Sequence, residues 1–436
     1  MRYSKDTRSI EPGEYYVAIK GMHFDGHDFV QDAIRKGAAG LVLERPVEFN
    51  TSTNTVEVIM VDNSEKYLAE QAHLKIKTIN PDIVAVTGSI GKTNTKKAIA
   101  TILEQRFPVV SSQGNLNTVL GLSLTILNTD FSAETKLVLE MGASHLGDIA
   151  ELCVYFPPDI SVVTNVYEVH LASFGTIETV AQTKGELVSA LKNEGVACLN
   201  YDDPWVREMH HLHRGRTIFY GKDKRSDLRP DAIGVELPLL GDHAVYMALA
   251  AYGVGRALGL SKGLINQGLS ELKPEKGRLF KLPGVRGITL IDDSYNASPA
   301  ATEAALAVLR QQAGSRYIAF LGDMLELGER ALQEHARMIR SAVKIADQVI
   351  LAGDLMAAAA ATLPREIRDR LALYPTSVAI TDEISKGRIY RPTRGDVVLV
   401  KGSQGMRMER ITKVLLHPDV DPSEVLPRQS ISWQHI

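Results

Sequence analysis

Residues 82–103 read DIVAVTGSIGKTNTKKAIATIL. The opening DIVAVTG is short, apolar and β-branched, the composition of a strand buried on both faces of a parallel sheet. The following KTNTKKAIATILEQ sets Ala98, Ile99, Ile102 and Leu103 at helical spacing. Between the two stand Gly88, Ser89, Ile90 and Gly91, then Lys92, Thr93 and Asn94. Strand, glycine turn and helix make the arrangement in which backbone N–H groups and a helix N-terminus hold a phosphate. In it, Lys92 reaches the terminal phosphates and the Thr93 hydroxyl ligates Mg²⁺. The alternative is an ordinary strand–helix turn whose glycines only permit close packing. One position departs from the general phosphate loop G-x-x-x-x-G-K-[ST]: Val86 stands where its first glycine belongs.

The whole chain sets bounds on what such a loop can serve. Its 436 residues are enough for about three domains, each with its own core. With 44% hydrophobic residues, 23% charged residues and a net charge of −3, it lacks the basic footprint of a nucleic-acid binder. Two cysteines, Cys153 and Cys198, exclude a disulfide scaffold and fit a reducing compartment. The front, MRYSKDTRSIEPGE, has no apolar signal-peptide region, and no apolar run reaches membrane-spanning length. The expectation is a cytoplasmic α/β protein with neither nucleic-acid nor membrane partners.

Three α/β blocks follow along the chain. Residues 1–79 hold YYVAIKG, AAGLVLE and VEVIMV as short strands. Residues 80–273 alternate strands such as KLVLEMG, DISVVTNV and GVACLN with helical runs, the pattern of a mostly parallel sheet. The charged, proline-containing ELKPEKGR interrupts that pattern, and residues 274–436 resume it with GITLIDDSYNA, YIAFLGD, QVILAG and DVVLVKGS. The tail LPRQSISWQHI reads as irregular.

Three residues of the middle block suit the loop chemistry. Glu140 ends the apolar run Leu137–Leu139, so a carboxylate arrives at the C-terminal edge of the sheet, where open α/β sheets bind ligands. His170 lies in the loop after the next strand, and Lys184 lies in the helical pattern after that. Singly, the glutamate and histidine are ordinary loop-edge residues and the lysine a solvated charge. Together they fall on successive strand–helix connections of one sheet edge.

In order, T-G-x-x-G-K-T, G-N-L-N, L-E-x-G-A, H-L-x-x-F-G and K-G-E resemble the Mur ligase family, which includes the folylpolyglutamate synthases. That family writes its loop T-G-[ST]-x-G-K-[TS], without the first glycine, so Val86 is the kind of residue it has there. LIDDSYNASP, LGDMLELGERALQEH and VLVKGSQGMRME are similar to the branch of the family that adds D-alanyl-D-alanine, and DTRSIEPGEYYVAIKGMHFDGHDF to its nucleotide-sugar domain.

The resemblance implies a three-domain architecture. A small N-terminal α/β domain binds the UDP substrate, a central P-loop domain binds ATP, and a Rossmann-like α/β domain closes over the nucleotide. It implies an ATP-dependent amide ligase joining D-alanyl-D-alanine to UDP-N-acetylmuramoyl-tripeptide (UDP-MurNAc-tripeptide) through an acyl phosphate, acting as a monomer. Gly88, Ser89, Ile90, Gly91, Lys92, Thr93 and Asn94 would hold the ATP phosphates, with Arg278, Asp292 and Asn296 contributed by the third domain. Two Mg²⁺ ions would be held, one by Thr93 and Glu140 and one by His170 and Lys184, the lysine as a carbamate. Lys92, Glu140, His170 and Lys184 would form the catalytic set. Thr7, Arg8, Lys20, Asp25, His27, Asn115 and Asn117 would contact the UDP substrate.

Two departures qualify these expectations. The chain starts close to DTR, where the family carries a leading segment, implying a shortened first domain. GDHAVYMALAA replaces the family's G-R-H-N-x-x-N-A-L-A-A, with Asp242, Ala244 and Met247 at the changed points, which argues against adenine recognition by that route. Within the family a ligase for another carboxylate or amine is the alternative, and outside it a scaffold that binds ATP without ligating.

Overall fold

A computed structural model of the chain describes residues 1–21, 24–50, 56–114, 116–168, 171–430 and 433. The chain divides into two compact units. One comprises Met1–Val166, Ala181–Ala232 and Leu249–Gly268; the other comprises Tyr167–Val180, Ile233–Ala248 and Leu269–Ile436.

The first unit holds two sheets. The smaller is parallel throughout, in the order β1 (Tyr3–Ser4), β2 (Tyr15–Val17), β3 (Gly40–Leu43), β4 (Glu57–Met60). Behind it runs the helix Ser64–Ile79, capped by the Asn63 side chain accepting from the Lys66 N–H at 2.7 Å and stopped by Asn80 in the left-handed region (φ +54°). Its buried face, Leu68, Ala69, Ala72 and Ile76, follows the helical period.

The larger sheet is also parallel. Its strands in chain order are β5 (Asp82–Thr87), β6 (Val109–Ser111), β7 (Lys136–Glu140), β8 (Ile160–Val163), β9 (Val196–Asn200) and β10 (Arg216–Tyr220). In space they run β10-β9-β8-β5-β7-β6. The connection from β5 therefore leaves toward β6 while that from β8 leaves toward β9. Neighbouring strands whose connections diverge open a crevice at their C-terminal ends, the switch point at which such sheets bind ligands. The two sheets are tied directly: the Tyr3 N–H donates to Asn128 Oδ1 (2.8 Å), Asn128 Nδ2 returns a bond to the Tyr3 carbonyl (2.7 Å), and Lys75 Nζ donates to the Ile126 carbonyl (2.9 Å). Both cysteines are buried here, and burial pushes the Cys153 and Cys198 thiols up to about 12.

The second unit is built on a six-stranded sheet in the order β11-β12-β16-β13-β14-β15. These strands are β11 (Phe280–Pro283), β12 (Thr289–Asp293), β13 (Arg316–Gly322), β14 (Gln348–Ala352), β15 (Leu371–Tyr374) and β16 (Asp396–Lys401). Only β11 is antiparallel to its neighbour. Both faces are covered, one by a cluster around Leu306, Leu309, Ile339 and Leu399, the other by one around Phe320, Ile350, Ile411 and Leu415. The tail read as irregular is fastened in part: the Arg428 guanidinium donates to the Ser294 and Tyr295 carbonyls and pairs with Glu409 at 2.8 Å. Among the described residues no helix is long and apolar enough to cross a membrane.

Candidate active site

The strand β5 continues through Val86, which is fully buried and paired with Glu140 of β7 and Val162 of β8. The bend comes later, at Gly88 (φ +141°), where an added Cβ would lie 2.0 Å from Thr164 Oγ1. Gly91 (φ +83°) then caps the helix Lys92–Leu103. Both glycines stand in the left-handed region, where a side chain is strained.

The loop between them is held on two sides. From its own helix, Lys92 Nζ donates to the carbonyls of Gly88 (2.8 Å) and Ser89 (3.1 Å). From the end of β8, the Ser89 N–H donates to the Asn165 carbonyl (2.9 Å) and the Ile90 N–H to Asn165 Oδ1 (2.8 Å). The Ile90 carbonyl accepts from Asn165 Nδ2 (2.9 Å) and from the Thr164 hydroxyl (2.8 Å). Thr93 and Asn94 lie in the first turn of the helix, and Asn94 Oδ1 is buried without a hydrogen bond among the described residues.

Glu140 closes β7 beside this loop and is 3% exposed. Its Oε1 accepts from Asn117 Nδ2 (3.1 Å); its Oε2 is buried without a hydrogen bond among the described residues, with Lys96 Nζ 3.6 Å away. Asn117 is held in turn, its carbonyl accepting the Gly142 N–H at 3.0 Å, and a Cβ on Gly142 would come within 2.8 Å of its carboxamide. A buried carboxylate oxygen with no hydrogen bond is costly on its own and is the hard donor that Mg²⁺ takes, so the residues fit the ion.

Lys184, a surface charge by its helical pattern alone, is 2% exposed. Burial lowers its amine to about 7, with the like charge of Lys92 acting in the same direction and Asp148 and Glu186 opposing. A large fraction of it is therefore neutral near neutral pH. His170 and Asn115 lie outside the described residues.

The remaining candidates are placed differently. His27 is buried, with Nδ1 against Asp25 Oδ1 at 2.6 Å and Nε2 accepting the Glu44 N–H at 3.0 Å, so both ring nitrogens serve the fold. Asp25 also caps the turn at Gly26–Phe29 and is bridged to Lys20. Thr7 is buried and its carbonyl accepts from Lys36 Nζ (2.7 Å), while Arg8 is exposed and paired with Asp6 (2.7 Å). In the second unit, the Arg278 guanidinium lies 4.3 Å from the Tyr295 ring centroid, and exposed Asn296 accepts at its carbonyl from Lys401 Nζ (2.9 Å). Asp292 faces the interior: it is fully buried, accepts from the Thr412 hydroxyl at 2.8 Å, and burial raises its carboxyl to about 7.

Asn165, Thr164 and Lys96 were not among the candidates. The polar pair ending DISVVTN was the available signal, since two side chains with both donors and acceptors at a sheet's C-terminal edge are placed to touch the neighbouring loop.

A glycine loop on a helix start at the switch point of a parallel sheet, with a buried acid ending the neighbouring strand, defines a class of phosphate-handling α/β enzymes. Comparison with known proteins narrows it. The profile of the Mur ligase middle domain matches residues 86–255, that of the Mur ligase glutamate ligase domain residues 277–404, and that of the Mur ligase family catalytic domain residues 3–113. A Bacillus subtilis UDP-N-acetylmuramoyl-tripeptide–D-alanyl-D-alanine ligase is 32% identical over 94% of this chain and 92% of its own. A MurF crystal structure from Acinetobacter baumannii superposes with a TM-score of 0.84 at 27% identity, covering 95% of this chain and 93% of that one. MurF ligase from Thermotoga maritima, solved in complex with ADP, gives 0.79 at 29% identity over 95% of this chain and 96% of that one. The chain belongs to the Mur ligase family.

Proposed function

We propose that this chain is an ATP-dependent ligase that adds D-alanyl-D-alanine to UDP-N-acetylmuramoyl-tripeptide in peptidoglycan precursor synthesis. The observation that carries this is the match to the Bacillus subtilis enzyme of that name along 94% of the chain. In support, the phosphate loop, Glu140 and Lys184 fall in one unit, the loop and Glu140 at one sheet edge, and the charge of Lys92 acts on Lys184. The domains implied are 1–79 for the UDP substrate, 80–273 for ATP and 274–436 for closure, in a cytoplasmic monomer.

In the reaction, a carboxylate oxygen of the tripeptide attacks the γ-phosphorus and the bond to ADP breaks, leaving an acyl phosphate. The dipeptide amine attacks the acyl carbon. The tetrahedral adduct then expels phosphate and loses a proton, giving the amide. The helix-start amides and Lys92 offset the charge on the transferring phosphoryl group. For this Lys92 must leave its bonds to the Gly88 and Ser89 carbonyls, which it holds at 2.8 and 3.1 Å. Glu140 Oε2 and the Thr93 hydroxyl would hold one Mg²⁺, His170 and Lys184 a second, with phosphate and water oxygens completing each shell. When bound, the ions supply positive charge to the oxygens of the transferring group. The neutral form of the buried Lys184 amine, favoured by its lowered basicity, is the one that adds CO₂ with loss of a proton, which would convert it into an anionic oxygen donor.

Phosphate release, measured with ATP, Mg²⁺ and UDP-MurNAc-tripeptide against a panel of dipeptides, tests the assignment. Release should depend on D-alanyl-D-alanine; release indifferent to the dipeptide would refute it.

A further inference from the structure

We infer that Asn165 is a positioning residue of the phosphate loop: it occupies the amides of Ser89 and Ile90, and so directs phosphate to the amides of the turn beyond them. The inference rests on the ATP-binding part of the proposed function and deepens it.

Ile90 is gripped by one carboxamide through both of its flanking peptide groups. Its N–H donates to Asn165 Oδ1 at 2.8 Å, and its carbonyl accepts from Asn165 Nδ2 at 2.9 Å. The two bonds hold the peptide groups on either side of the Ile90 Cα, so together they restrain its backbone dihedrals, which a single bond would not. The Ser89 N–H is taken by the Asn165 carbonyl at 2.9 Å. An amide proton already donated along a good line has little left for a phosphate oxygen. A helix leaves the N–H groups of its first turn without intrahelical acceptors, so the helix start beyond Ile90 is what the turn offers a phosphate.

The clamp stands on a braced support. Asn200 Nδ2 donates to the Thr164 carbonyl (2.9 Å), the Tyr220 hydroxyl to the Val163 carbonyl (3.0 Å), and the Val166 N–H to Asp203 Oδ2 (2.8 Å). The residues on each side of Asn165 are thus fixed before any ligand arrives, which is the condition for a preorganised site. This also gives a physical use for the valine at position 86. In the general loop a first glycine starts the turn; here β5 runs on to Thr87, and a side chain from β8 holds the shorter turn in place. Only asparagine serves. Aspartate would set an oxygen against the Ile90 carbonyl, and glutamine is one methylene too long.

The test is ATP binding by calorimetry, with Mg²⁺, for wild type, Asn165→Ala, Asn165→Asp and Thr164→Val, together with steady-state KM values. Loss of the two carboxamide bonds should raise the ATP Kd roughly ten- to a hundredfold. The KM values for UDP-MurNAc-tripeptide and D-alanyl-D-alanine should hold. Thr164→Val, which loses one bond, should show an increase of about two- to tenfold. Amide hydrogen exchange at Ile90 should be slow in the nucleotide-free wild type and fast in Asn165→Ala, with a smaller change at Ser89, whose partner is the Asn165 backbone carbonyl. An Asn165→Ala enzyme with ATP Kd within about twofold of wild type, or with all three KM values raised alike, overturns the inference. Should Asn165→Ala not fold, Thr164→Val and exchange in the wild type decide, and fast exchange there overturns it. If the variants lose ATP affinity while wild type shows no dipeptide-dependent phosphate release, the proposed substrate falls and the clamp stands.

Discussion

Asp292 shows how far a single side chain's environment can depart from what its neighbours in the sequence suggest. It belongs to a motif, DDSYN, that faces a nucleotide in the family pattern, yet it is sealed inside the second unit against Thr412. Its carboxyl is raised from 3.8 to about 7 because burial penalises the charged form more than the hydrogen bond rewards it. The folded state therefore holds more protons than the unfolded chain between about pH 4 and 7, and stability falls as pH rises through that window. Asn has the same shape without the charge. Asp292→Asn should raise the unfolding midpoint at pH 8, by about 1–3 kcal/mol of stability, with the gain shrinking toward zero near pH 4. Thermal unfolding of both proteins across that range measures it; a gain independent of pH would mean that the charge is not the cost.

At the scale of elements, the site depends on two strands that are adjacent in space and distant in sequence. The turn after β5 is legible in the sequence, because glycines between an apolar β-branched run and a helical pattern mark a strand–helix turn. So is Glu140, since an apolar run delivers its last residue to the sheet edge. Asn165 was not legible. Its role depends on β8 lying next to β5, which follows from the order β10-β9-β8-β5-β7-β6 and from no local pattern. Lys184 was legible only by resemblance, as helical spacing gave it a solvated face while the fold buries it. His27 errs the other way: a polar loop read as substrate-facing spends both its ring nitrogens on Asp25 and Glu44. The coupling between β5 and β8 has a direct test. Gly88→Ala adds a Cβ 2.0 Å from Thr164 Oγ1 at a φ of +141°, so it should cost the fold roughly 1–3 kcal/mol and weaken ATP binding at least about tenfold. Adding Thr164→Ala removes the clash but leaves the backbone strain, so stability should return only in part. Calorimetry and denaturant unfolding of the single and double variants would show it, and full recovery would locate the whole cost in the clash.

For the whole molecule, binding and stability are linked. ATP that binds the folded chain alone should stabilise it by about 2.7 kcal/mol at a hundredfold excess over Kd. Lys92→Ala should lose most of that thermal shift, together with phosphate release, while the chain still folds in the absence of ligand. An unchanged nucleotide-induced shift would remove Lys92 from the site.

The placing of the two thiols gives the molecule a built-in clock. The chain has two cysteines, and both belong to the first unit, Cys153 at the end of one helix and Cys198 inside β9. Buried and held as protonated thiols, they are inert to alkylating reagents until that unit opens. The two tryptophans are divided instead: Trp205 lies in the first unit and Trp433 in the second, against Arg407. Alkylation timed by mass spectrometry therefore counts openings of the first unit alone. In a Trp205→Phe background, fluorescence follows the second unit alone. With residues the chain already carries as reporters, the two units can be timed separately in one tube.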